Sequence, residues 1–245
     1  MTEREAPMTE RDPQVMGATV LVTGGTGGLG RAVTEVFLTR GWRVVAPHRP
    51  GRELDGPGER ERLLLVDADL LDPGGVGRAV EAAASDERAP LRAVVNLVGG
   101  YAGGTPLHET PPEEFERMLT LNLRPTFLVT RASIPHLLAG GGGAIVCVSS
   151  RAAVRPFGRA AGYVTAKAAV LAFAQAVAAE YRSQGIRCNA VLPSVIDTPA
   201  NRADQPDADH SRWVAPAEVA RVIHFFCVDE SRPTSGAAIP VYGLA

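Results

Sequence analysis

The chain has 245 residues, 45% of them hydrophobic, with a formal net charge of -2 and a pI near 6.2. That is enough apolar material for one large core, and the charge balance leaves no electrostatic footprint for nucleic acid. Cys147, Cys188 and Cys227 are far apart and the five histidines lack metal-ligand spacing, which argues against a disulfide framework or a metal centre and for reduced thiols in a cytoplasmic protein.

Residues 1–15 are polar, repeat MTER at 1–4 and 8–11, and read as a disordered tail outside the fold. The N-terminus shows no signal-peptide core, and no apolar run approaches the ~20 residues of a membrane span. Ordered structure is expected to begin with the strand ATVLVT (18–23). The glycine-rich GGTGGLG (24–30) follows, and then a helix whose apolar Ala32, Val33, Val36 and Phe37 recur at helical spacing. Strand, glycine loop and helix are the context of a phosphate-binding turn, in which the backbone approaches a pyrophosphate and the helix offers it free N–H groups. A G-x-G-x-x-G pattern falls on Gly25, Gly27 and Gly30, and Gly24-x-x-x-Gly28-x-Gly30 fits as well.

The second strand, WRVVAP (42–47), ends where a carboxylate would hold the ribose of NAD, but His48 and Arg49 stand there. A guanidinium at that place receives a 2′-phosphate better than a bare hydroxyl, so NADP(H) is favoured over NAD(H); the bland reading of Arg49 is a solvated loop charge. A third strand (62–68) leads to Asp69 and Leu70 and a helix near 72–84. A fourth (91–100) ends in Asn96, Gly99 and Gly100 at the carboxyl edge where ligands bind. One helical pattern then runs from about 111 to 138, with polar Asn122 between Leu121 and Leu123 as either a satisfied core amide or part of a relay.

A fifth strand, AIVCVSS (144–150), ends in Ser149 and Ser150. Tyr163 and Lys167 follow at the start of an Ala-rich helix, where positions four apart share a face. Lys167 is the only lysine, every other basic side chain being arginine, so a compact ammonium is kept at this one position. Lowering a phenol from about 10 to near 7 takes ~4 kcal/mol, and a unit charge ~4 Å away at an effective dielectric of 20 supplies about that much. Lys167 is therefore expected to depress the Tyr163 pKa. A sixth strand (186–193), a polar proline-broken loop (193–213) with Trp213 as candidate lid anchor, a helix (217–227) and a short strand (238–241) complete the chain. Alternating strands and helices predict one α/β domain: a doubly wound, Rossmann-type parallel sheet of about seven strands with helices on both faces.

From about residue 17 onward these motifs resemble the short-chain dehydrogenase/reductase family. Thr23-Gly24-x-Thr26-x-Gly28-Leu29-Gly30 is similar to its cofactor turn, Asp69-Leu70 to its adenine-side aspartate, and Asn96 through Gly99 to its Asn-Asn-Ala-Gly segment, with Leu97 and Val98 in the middle. Asn122, Ser150, Tyr163 and Lys167 match its catalytic tetrad, and Pro193 through Thr198, including Val195 and Ile196, its nicotinamide-carboxamide segment, with Ser194 in place of glycine. The resemblance implies a domain over 16–245, a 193–213 substrate loop, a homodimer or homotetramer, and hydride transfer between NAD(P)(H) and a small carbonyl or alcohol. In that scheme Tyr163 gives the proton, Ser150 holds the carbonyl oxygen, Lys167 tunes the phenol and touches the nicotinamide ribose, and Asn122 holds a water behind it. Segments 98–104, 191–213 and 232–236 also resemble dihydropteridine reductases, which differ at the positions of His48 and Ser150. A non-catalytic dinucleotide sensor is the third reading; the intact tetrad speaks against it.

Overall fold

The structure is a computed structural model and describes residues 17–51 and 60–244. The tail expected at 1–15 lies outside the described residues, as does most of the polar loop after Arg49. Seven parallel strands, β1 (Thr19–Thr23), β2 (Arg43–His48), β3 (Leu63–Asp67), β4 (Leu91–Asn96), β5 (Gly143–Val148), β6 (Ile186–Pro193) and β7 (Ala238–Val241), form one sheet in the order β3-β2-β1-β4-β5-β6-β7. The chain winds outward from β1 in one direction and returns to β4 to wind the other way. The switch point therefore falls between β1 and β4, where connecting loops diverge and leave a crevice at the carboxyl edge.

Strand alternation divides the core between two faces. Val20 and Val22 of β1 join Val44, Val95 and Val146 beneath α1 (Gly28–Thr39) and α7 (Pro216–Cys227), where Phe37 and Ile223 are fully buried. Leu21 points the other way, into a core shared with Val80 of α2 (Pro73–Ala84), Leu137 of α4 (Arg124–Ala139) and Val170 of α5 (Ala161–Tyr181). At α2, Asp72 caps the helix by accepting from Gly75 N at 2.7 Å.

Three local findings depart from the sequence reading. The single helix expected from 111 to 138 is two, α3 (Pro112–Asn122) and α4, broken at Leu123. Pro125 has no N–H to continue the ladder but suits the first turn of a new helix. The break leaves Asn122 as the last residue of α3. Within the 193–213 loop, Thr198 caps a short helix, α6 (Pro199–Asp204), and Trp213 packs on His210 with ring centroids 4.3 Å apart. Finally, the segment Ala161–Gln184 is long and apolar enough to cross a membrane by length and composition. Its alanines keep it apolar, yet one face, from Gly162 through Lys167 and Val170 to Ala178, is buried against β6 and α3.

Candidate active site

The turn from β1 into α1 is built on glycines for reasons of space as well as conformation. Gly24 has φ +68, in the left-handed region, and a Cβ at Gly30 would collide with the Gly24 carbonyl oxygen. At Gly28 a Cβ would lie 2.8 Å from Thr198 Cγ2, so the loop after β6 touches the glycine turn. Among the described residues no side chain caps α1, and its first turn holds no acid. Its free N–H groups and positive dipole end therefore face the crevice open to an anion. The crevice has a volume of about 490 Å³ and runs from His48, Arg49, Asp69 and Leu70 past Thr26, Gly28, Leu29 and Gly30 to Gly99. A glycine cradle, an uncapped helix, apolar walls and a terminal guanidinium fit a dinucleotide coenzyme.

The four residues matched to the family's tetrad gather beyond Gly99. Ser150 leaves β5 in extended backbone and accepts from Ala152 N at 3.1 Å. Ser149 donates to the Lys167 carbonyl at 2.6 Å, tying α5 to the end of β5. Lys167 donates from Nζ to the Val148 carbonyl at 3.2 Å, and its Nζ stands 6.0 Å from the centre of the Tyr163 ring. Asn122 makes three hydrogen bonds: Nδ2 donates to the Gly100 and Met118 carbonyls at 3.1 and 3.0 Å, and Oδ1 accepts from Gly100 N at 3.2 Å, which leaves one lone pair of Oδ1 unused. A Cβ at Gly99 would lie 2.5 Å from Asn122 Oδ1 and 3.1 Å from Lys167 Nζ, so only glycine lets these groups approach the strand end.

Burial dominates the electrostatics. Lys167 is 6% exposed, and loss of solvation pulls its pKa down to about 8, opposed by the Cys147 thiol. Burial also raises the Tyr163 pKa above its usual 10; the Ser150 hydroxyl lowers it and Tyr101 raises it further. This reverses the depression expected from the sequence. The ammonium donates to the Val148 carbonyl, and desolvation is the largest influence on the phenol. Tyr163 is thus a protonated phenol at neutral pH.

Several residues singled out in the sequence support the crevice without lining it. Thr23 is buried, accepts from Leu97 N at 3.0 Å and donates to the Val95 carbonyl at 3.4 Å. Asn96 is buried and donates to Thr130 Oγ1 at 3.1 Å. Val195, beyond the buried Pro193, accepts from Val214 N, and Ile196 bridges to Val214, which fastens the loop. Ser194 has no need of glycine: it lies outside the left-handed region and donates to the Tyr242 carbonyl at 2.7 Å. Sequence reasoning missed two neighbours. Tyr101 meets Tyr163 edge-on with ring centroids 5.1 Å apart, signalled only by an aromatic after the glycine pair. Asp67 of β3 sits opposite His48 in register, with its Oδ1 3.3 Å from His48 Nδ1; a search along β2 alone does not find it.

Comparison with known proteins identifies the family. The family model for short chain dehydrogenase matches residues 18–209. The chain is 34% identical to 2-(R)-hydroxypropyl-CoM dehydrogenase of Xanthobacter autotrophicus, over 93% of this chain and 98% of that enzyme. It is 29% identical to the 3-oxoacyl-[acyl-carrier-protein] reductase MabA of Mycobacterium tuberculosis, over 94% of each. The crystal structure of 3-ketoacyl-(acyl-carrier-protein) reductase from Brucella melitensis complexed with NADH superposes with a TM-score of 0.84 at 28% identity, covering 94% of this chain and 98% of that one. The chain belongs to the short-chain dehydrogenase/reductase family of NAD(P)-dependent oxidoreductases.

Proposed function

We propose that the protein reduces a ketone to a secondary alcohol with NADPH, using Tyr163 as proton donor. The observation that carries this reading is a half-buried, protonated phenol beside Ser150 and Lys167 at the end of a glycine-cradled crevice. The coenzyme, when bound, supplies the hydride. Gly24, Gly28 and Gly30 would admit its pyrophosphate to the α1 N-terminus, Asp69 would hold its adenine side, and Arg49 would receive a 2′-phosphate. The segment Pro193–Thr198 would hold its nicotinamide end.

Ser150 holds the substrate oxygen by a hydrogen bond, which orients the carbonyl toward the phenol. Tyr163 then transfers its proton to that oxygen as negative charge develops there. Lys167, next to the phenolate this leaves, favours the charged form only at that stage, so its attraction acts where it lowers the barrier. Asn122 fixes Gly100, and through it the wall of the site, and holds a water that relays a proton to Lys167.

The substrate side is apolar at its mouth. Tyr101, which meets Tyr163 edge-on, and Phe157, with its ring centroid 6.5 Å from that of Tyr101, are both exposed. Exposed apolar side chains gathered at one mouth suit a ketone with a hydrophobic body. The two relatives named above, a hydroxypropyl-CoM dehydrogenase and a 3-oxoacyl reductase, likewise act on a secondary alcohol or a ketone by their names. Pairing of the Ala-rich α5 face between copies accounts for a helix of membrane-like hydropathy in a cytoplasmic homodimer or homotetramer.

The test is a fluorescence titration with NADPH and NADH, followed by NADPH oxidation with a panel of aliphatic and aryl ketones and quinonoid dihydropterin. Tighter NADPH binding and turnover of hydrophobic ketones are expected. Turnover of the dihydropterin alone would replace this reading with pteridine reduction, and binding of neither coenzyme would overturn it.

A further inference from the structure

A second concavity opens at the opposite, amino-terminal edge of the sheet, bounded by Ala18 before β1, Trp42 before β2 and the starts of β4, β5 and β6. Its volume is about 800 Å³, larger than the coenzyme crevice. Four arginines line it, Arg92, Arg182, Arg187 and Arg232, against one carboxylate, Asp229.

Part of that charge serves the fold. The helices α4, α5 and α7 all end here, and helix C-termini carry partial negative charge. Arg187 donates from Nη1 to the Phe226 carbonyl and Ser231 Oγ, both at 2.9 Å, and from Nη2 to the Val228 carbonyl at 3.1 Å. Arg92 donates through Nη1 to the Gly140 carbonyl. Arg182 and Arg232 are different. Both are exposed, and among the described residues neither side chain makes a hydrogen bond or an ion pair. Two guanidiniums anchored on helix ends and two free ones thus converge on one cavity. The chain as a whole carries a net charge of -2, so this excess of positive charge is local.

We propose that this cavity binds a phosphate-bearing polyanion, at a site separate from the coenzyme crevice. Guanidinium forks match phosphate oxygens in pairs, and the free donors of Arg182 and Arg232 can close on an anion that Arg92 and Arg187 already attract. The cavity volume accommodates either inorganic pyrophosphate or the phosphate chain of a nucleotide.

Isothermal titration calorimetry on the full-length protein tests this, with NADPH saturating and ionic strength fixed, so that the coenzyme crevice cannot contribute. Pyrophosphate and ATP are titrated separately into the unsubstituted protein and the Arg182→Ala/Arg232→Ala variant, whose substituted residues are exposed and have no part in the core. Saturable binding is expected, weakened at least about tenfold in the variant, with NADPH affinity and melting temperature unchanged. Tighter ATP than pyrophosphate binding would identify a nucleotide as the source of the phosphates, and the reverse order a free inorganic anion. Absence of saturable binding by both anions, or equal affinity in the variant, would overturn the proposal.

Discussion

Lys167 Nζ donates to the Val148 carbonyl at 3.2 Å while standing 6.0 Å from the centre of the Tyr163 ring. The lysine is thus moored to strand β5 beside the Tyr163 ring. Its pKa near 8, against an ordinary 10.5, means the native state binds fewer protons than the unfolded chain between those values. Stability therefore rises with pH from about 8 to 10.5, by on the order of 3 kcal/mol, and the burial penalty is constant below that window. In Lys167→Met this rise should vanish while turnover falls, as pH-resolved urea denaturation of the coenzyme-free proteins would show. An identical pH dependence in the variant would remove Lys167 as its source.

Gly99 marks the tightest point of the site. In Gly99→Ala the new methyl would press on Asn122 Oδ1 at 2.5 Å and on Lys167 Nζ at 3.1 Å. Neither can retreat freely, because Asn122 is bonded to Gly100 and Met118. Overpacking of this kind costs about 1–3 kcal/mol. Melting temperature and kcat should fall together, whereas Gly77→Ala, in α2 with open space around it, should leave kcat unchanged.

Arg49 is exposed at the end of the crevice beside His48. If it receives the 2′-phosphate, Arg49→Ala should weaken NADPH binding by about tenfold or more and leave NADH binding nearly unchanged, since a charged hydrogen bond contributes about 1.5–3 kcal/mol. Competitive fluorescence titration reads both affinities. Equal losses for the two coenzymes would assign Arg49 a general electrostatic role.

His224 sits on α7 against Phe37 and Trp42, with ring centroids 5.0 and 6.4 Å away, and its Nε2 is buried without a hydrogen-bond partner among the described residues. Burial, reinforced by Arg40, lowers its pKa from 6.5 to about 4. The unfolded chain binds the extra proton between those values, so stability should fall as pH drops from 6.5 to about 4. Allowing for solvent screening, the loss is about 1–2 kcal/mol. His224→Phe should flatten this limb of the melting temperature against pH curve.

Much of this architecture is readable from the chain. Buried parallel strands are short apolar, β-branched-rich runs, and β6 lies where that run predicts it. The glycines, Ser150, Tyr163 and Lys167 stand at strand ends and a helix start, which local pattern locates well. What escapes the sequence depends on neighbours remote in the chain. The break at Leu123 follows from Pro125, which a continuous apolar pattern conceals. Asp67 reaches His48 only through β2–β3 register, and Tyr101 meets Tyr163 only because the loop after β4 folds over α5. The direction of the Tyr163 shift depends on how deeply the phenol is buried, which spacing along a helix does not reveal.

Single-turnover reduction by Tyr163→Phe at saturating NADPH tests the proton-donor role most directly, because it isolates chemistry from coenzyme binding. Removing the hydroxyl leaves the aromatic contact with Tyr101 available. NADPH affinity should be unchanged while the rate of ketone reduction falls by about 10²–10⁴. A rate within a fewfold of the unsubstituted protein would show that the proton comes from elsewhere.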